Sequence, residues 1–225
     1  YRRSLGYSVL VPVASVALEA LAGLGMALWF YWLRRGRGLW RTIAILPFAM
    51  PQIVYLLTMK LALRDHGYVN AVLEAVGARG LGWLEPGTAL MVLMVILVDA
   101  WRVTPIVFLI VLARLESVPV SAVEAARIDG AGRWRISIHI LAPLALSAML
   151  VALALRSVDA FRIFATPLVL VGVDALPVLS TVAYHYQADR LDPAAANVAA
   201  LTLAAALLLA TAATLLVAGW KRRAS

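Results

Sequence analysis

Glu124-Ala125-Ala126-Arg127-Ile128-Asp129-Gly130, with Ile140 and Pro143 behind it, is a polar, arginine-bearing island between long apolar runs. Ser121 stands three residues before Glu124, the spacing of a capping box. Ala125 and Ala126 favour helix, and Gly130 is a natural helix stop. Pro143 lies near the start of the next apolar run. Local rules thus predict a short helix, a glycine turn and a return into apolar sequence. What flanks the island decides the fold.

Of the 225 residues, 64% are hydrophobic and only 14% charged, and the mean hydropathy is +0.91. A soluble domain of this length could not hide so much apolar surface. Lipid removes the difficulty, because a bilayer-spanning helix needs about 20 mostly apolar residues. Segments near 8–33, 42–63, 88–113, 139–165 and 194–219 meet that requirement. Each is too long for a strand and lacks strict alternation. The predicted class is all-α: a polytopic helical membrane protein with five transmembrane helices, forming a single domain over 1–225.

Lys and Arg placement sets the expected orientation. Arg34, Arg35, Arg37 and Arg41 fill the first connection, Arg114, Arg127, Arg133 and Arg135 flank the third, and Lys221, Arg222 and Arg223 end the sequence. The other two connections carry Arg64, Arg79 and Arg190 against six acids, Asp65, Glu74, Glu85, Asp174, Asp189 and Asp192. The basic set is expected on the cytoplasmic side, with the loop at about 117–138 and the C-terminus. The net charge of +8 therefore reads as topology. A nucleic-acid partner would call for a basic, aromatic-studded soluble surface, and the sequence has none. Five helices and an inside C-terminus leave Arg2 and Arg3 outside, which predicts at least one further helix upstream. There is no cysteine, so disulfides and thiolate metal sites are excluded.

Within the spans, Gly23 and Ala27 follow Glu19 at small-residue spacing suited to close helix packing. Pro47 and Pro51 predict a kink in the second span, which either flanks a pathway or shapes the bundle. Residues 68–76 read as a short interfacial helix, and Trp83 suits the aromatic belt.

Six ionisable residues fall inside the spans: Glu19, Asp99, Arg102, Arg156, Asp159 and Arg162. A charge at the bilayer centre costs about 2.5–3.5 kcal/mol on insertion scales, so such groups face a bundle interior or a watery cavity. With roughly 1.5 Å of rise per residue, Asp99 and Arg156 come to comparable depth. Arg156, Asp159 and Arg162 recur every three residues along one face. Two readings stay open: Asp99, Arg102, Arg156, Asp159 and Arg162 line a polar translocation pathway, or they are structural ion pairs.

The island resembles the cytoplasmic EAA loop of permease subunits in binding-protein-dependent ABC importers. That pattern is Glu-Ala-Ala, three residues, Gly, nine residues, Ile, any residue, Leu, Pro. Glu124, Ala125, Ala126, Gly130, Ile140 and Pro143 match it, Asp129 fits a common variant, and Ala142 replaces the Leu. Residues 155–164, leading to Pro167 and Leu170, look like the helix after this loop in maltose-, trehalose- and glycerol-phosphate-type permeases. Val171-Gly172-Val173-Asp174 stands where those proteins usually carry a glycine-rich turn.

The resemblance implies a type I importer permease in a prokaryotic inner membrane, carrying a carbohydrate-like solute. It implies a second permease subunit, two ATPase subunits that bind ATP and Mg, and an extracytoplasmic solute-binding protein. Glu124, Ala125, Ala126, Arg127, Asp129 and Gly130 would form the ATPase-coupling helix. The chain itself would bind no cofactor. Consistent with that, it has no Gly-x4-Gly-Lys-Ser/Thr phosphate loop. His66, His139 and His185 lack metal-ligand spacing, and no nucleophile motif is present, so neither a metal nor a catalytic residue is predicted. The alternatives are an ABC permease for a non-sugar solute and a secondary transporter that uses its buried charges for ion coupling.

Overall fold

In lipid the backbone must satisfy its own hydrogen bonds, and the long apolar runs do so as helices. The computed structural model describes residues 2–33 and 35–223, with side chains over 3–33 and 35–212. Arg34 and the side chains of Arg2, Lys221, Arg222 and Arg223, all part of the charge pattern above, lie outside the described residues.

Helix α1 spans Arg2–Trp32. The second span is two helices, α2 (Arg37–Ala49) and α3 (Gln52–Ala62), bent by 92°. A short α4 (Tyr68–Ala75) precedes the central α5 (Ala89–Glu116). The island forms α6 (Val120–Ile128). The fourth span starts as α7 (Arg133–Ile136), widens to a π turn at Ser137–Leu141 and continues as α8 (Ala142–Phe161). Two short helices follow, α9 (Ala165–Leu170) and α10 (Leu179–Ala188), before α11 (Pro193–Arg223). Four of these stretches are long and apolar enough to cross a bilayer, and the bent pair makes five if it is one span.

The differences from expectation have local causes. Pro51 does more than kink the second span. Met50, held extended at φ −73° and ψ 140° as residues before proline tend to be, breaks it, whereas Pro47 stays inside α2. The fourth span stops at Phe161 and not at 165. Pro167 cannot donate to the carbonyl of Ile163, which accepts the Ser180 hydroxyl instead. Similarly, Pro143 has no N–H for the carbonyl of His139, and the helix widens into its π turn there. The predicted interfacial helix is α4. Its Asn70 is buried, accepts from Leu81 N and Trp83 Nε1, and donates to the Asp65 and Leu81 carbonyls at 2.9 Å each.

α1 lies along α5 with Gly23 facing Val107 at the crossing. A Cβ on Gly23 would meet Val107 Cγ1 at 2.8 Å, so the glycine is what permits this approach. Ala27 is fully buried one turn on, and Phe30 packs on Phe108 with ring centroids 4.7 Å apart.

Two apolar layers result. One joins Ala27, Phe30, Val107, Phe108 and Leu115 with Val123, Ile136 and Leu141 at the basic end of the bundle. The other joins Val11, Tyr55, Met91 and Val95 with Ile163 and Leu176 towards the opposite end. Between them, on α1, α5 and α8, lie the buried polar groups Ser15, Glu19, Asp99, Thr104 and Arg156.

Candidate functional site

The polar layer is organised around Arg156. Its Nε donates to Glu19 Oε2 at 2.7 Å and its Nη2 to Glu19 Oε1 at 3.0 Å, a bidentate pair. Glu19 is fully buried and the Arg156 side chain is 7% exposed. Arg156 Nη2 also lies 4.0 Å from Asp99 Oδ2, and its Nη1 lies 3.6 Å from Asp159 Oδ2. Asp99 Oδ1 accepts from the Thr166 hydroxyl at 2.8 Å. An isolated charge at this depth would be expensive, and the network compensates it by pairing each buried ion with an opposite one.

All five sequence-predicted pathway residues line one cavity of about 320 Å³: Asp99, Arg102, Arg156, Asp159 and Arg162. Phe48 and Gln52, on either side of the break in the second span, complete it with Phe164 and Ala165. The helix break thus flanks the cavity.

Their roles within it differ. The Arg156 face towards Glu19 is structural, while Asp159 is 65% exposed and available. Arg162 is the C-cap of α8, so it reaches the cavity from the turn beyond the helix and not along a helical stripe. Arg102 Nε is buried and has no hydrogen-bond partner among the described residues. The cavity lining carries both carboxylate acceptors and guanidinium donors, groups that can hydrogen-bond hydroxyls of a polyhydroxylated solute.

Sequence reasoning named Glu19 but left it without a partner, because Arg156 is 137 residues away. It missed Thr166, Gln52 and Phe48, whose residue types carry no special signal.

The island lies at the basic end. Helix α6 ends in a Schellman arrangement: Ala131 N donates to the Ala126 carbonyl at 2.9 Å and Gly130 N to the Arg127 carbonyl at 3.0 Å. Gly130 has φ +80°, the left-handed conformation the motif requires. The N-terminal capping box does not form. The helix starts after Pro119, whose ring presets the entry φ, so Ser121 lies inside the first turn and makes no cap.

Val123 points into the core, whereas Glu124, Ala125, Arg127 and Asp129 are exposed and Ala126 is half-buried. Ile128 is 87% exposed and Trp134 79%, so large apolar side chains project from the bundle among charged residues of both signs. Among the described residues, no three His, Asp or Glu side chains gather where they could hold a metal ion.

Residues 20–223 match the family described as binding-protein-dependent transport system inner membrane component. The chain is similar to the trehalose/maltose transport system permease protein MalF of Thermococcus litoralis, 35% identical over 193 residues. That match covers 82% of this chain and 65% of the relative. It is also similar to the trehalose transport system permease protein SugA of Mycobacterium tuberculosis, 31% identical over 169 residues, covering 75% of this chain and 54% of that one. The chain thus spans between about half and two thirds of the length of these relatives. Among solved structures it resembles a chain of a bacterial ABC transporter involved in importing the acidic polysaccharide alginate. The TM-score is 0.87, with 19% identity, over 97% of this chain and 78% of the other. At that identity the likeness is one of fold.

Proposed function

The chain belongs to the binding-protein-dependent transport system inner membrane component family, and we propose that it serves as a permease subunit of an ATP-driven importer of a carbohydrate-like solute. In this reading residues 1–225 form one transmembrane permease domain. Asp99, Arg102, Arg156, Asp159 and Arg162 flank the solute's path. The loop at about 117–138 docks on a separate ATPase through Glu124, Ala125, Ala126, Arg127, Asp129 and Gly130. That loop and the C-terminus face the cytoplasm, as the basic residues at that end favour.

A second permease subunit completes the pathway, two ATPase subunits bind ATP and Mg, and an extracytoplasmic binding protein delivers the solute. The observation that carries the reading is α6. It is a Schellman-capped helix with its polar face bare, on a chain whose sequence carries no phosphate loop. The likeness to trehalose and maltose permeases supports the sugar class.

The test is reconstitution of the complex in proteoliposomes with its binding protein, measuring ATP hydrolysis and uptake across a panel of sugars. Hydrolysis stimulated by one loaded sugar, with matching uptake, is expected. Uptake driven by an ion gradient with no ATPase present would sink the proposal.

A further inference from the structure

We propose that Trp32 is a positioning residue that fastens the coupling loop to α1, and so carries movement of that loop to the polar cavity. The inference rests on the coupling reading of the loop. Trp32 is the last residue of α1 and belongs to neither the island nor the fourth span. Three parts of the loop nevertheless converge on its side chain. Its Nε1 donates to Ser137 Oγ at 2.8 Å, at the first residue of the π turn. The Arg127 guanidinium, from α6, lies 5.3 Å from the ring centroid, and that of Arg133, from α7, lies 5.7 Å away.

These contacts differ in kind from the others holding the loop. Val123 and Ile136 are buried against the core, but apolar contact is non-directional and tolerates sliding and rotation. A hydrogen bond and two guanidiniums against one ring fix register. The loop also contains its own points of weakness, the left-handed Gly130 between α6 and α7 and the widened π turn after α7. Without a tie to a long helix, movement of α6 would be absorbed at those points.

The same helix holds the cavity. Thirteen residues before Trp32, about 20 Å along α1, Glu19 grips Arg156 with both oxygens. Thus α1 and the fourth span are fastened at two levels, one at the loop and one at the cavity wall. A displacement entering at Trp32 shifts the helix pair as a body, and Arg156 moves with it.

The test uses the whole reconstituted complex with Trp32→Ala, Trp32→Phe and Ser137→Ala, reading ATPase retention, hydrolysis and solute moved per ATP. Trp32→Ala is expected to keep the ATPase bound and hydrolysing while solute moved per ATP falls about tenfold, the size of an ordinary allosteric coupling. Trp32→Phe keeps a ring face for the arginines but loses the donor, and should fall about threefold, as for one lost hydrogen bond. Ser137→Ala deletes the same bond from the other side, so it should match Trp32→Phe, and combining the two should add nothing.

Unchanged solute per ATP in Trp32→Ala overturns the proposal. So does a Trp32→Phe and Ser137→Ala pair whose effects simply add. If Trp32→Ala fails to assemble, that pair decides by itself. Loss of the ATPase from the unsubstituted complex would instead count against the coupling reading.

Discussion

Arg156 has two jobs that a substitution can separate. Its bidentate bond to fully buried Glu19 is structural, and its contacts with Asp99 and Asp159 face the cavity. Removing one partner of a buried pair leaves an uncompensated charge and costs about 3–5 kcal/mol, whereas replacing both by apolar residues is often neutral. Glu19→Leu alone should therefore lower the detergent unfolding temperature, and Glu19→Leu with Arg156→Met should recover only part of it, because buried Asp99 then loses its contact with Arg156. Equal damage in the single and double variants would contradict the pairing. Asp159, being 65% exposed, is the cleaner probe of transport. Asp159→Asn should reduce uptake while leaving the unfolding temperature and assembly unchanged, and a parallel loss of assembly would make it structural. The charges could be named from the chain alone because ionisable residues in apolar runs are conspicuous. Their partners could not, since Glu19 and Arg156 are brought together only by packing.

Elements are governed by a few backbone-sensitive positions. Gly130 ends α6 at φ +80° with nothing within 4 Å of an added Cβ, so a side chain there meets no clash and only the left-handed conformation opposes it. Gly130→Val should weaken the turn by about 1–2 kcal/mol, and Gly130→Asn by less. Stimulation of the ATPase by loaded binding protein should fall in that order. Gly23 is the converse case, with an ordinary backbone and no room. Gly23→Val must push α1 off α5, and overpacking of this kind costs about 1–3 kcal/mol; Val107→Ala, by clearing the obstructing side chain, should partly restore the unfolding temperature. Helix existence, the Gly130 stop and the Gly23 seam were legible because local rules act within a turn or two. The bend at Met50–Pro51, the Pro119 start of α6 and the end of the fourth span at Phe161 were less so. Each depends on a proline, through the conformation it imposes on itself or its predecessor or through its missing donor, and for Phe161 the substitute donor, Ser180, lies beyond the next helix.

At the scale of the molecule, a polar cavity lies between two apolar layers and opens at the side of Asp159, and a bare helix stands at the basic end beyond one of them. Glu124 is exposed there, free to meet a basic group on a partner. Glu124→Lys should release the ATPase on co-purification while the permease still inserts and keeps its unfolding temperature; retention of the ATPase would argue against α6 as the docking element. Composition and run length determined by themselves that this is a helical membrane protein, because no aqueous fold can cover so much apolar surface. Charge placement and the Glu124–Gly130 island were equally plain, because both are written in contiguous residues. Only the tertiary structure decided that five scattered charges share one cavity, that Glu19 holds Arg156 and that Trp32 gathers the loop. Those outcomes depend on which faces of α1, α5 and α8 meet, and helix packing sets that through contacts more than a hundred residues apart.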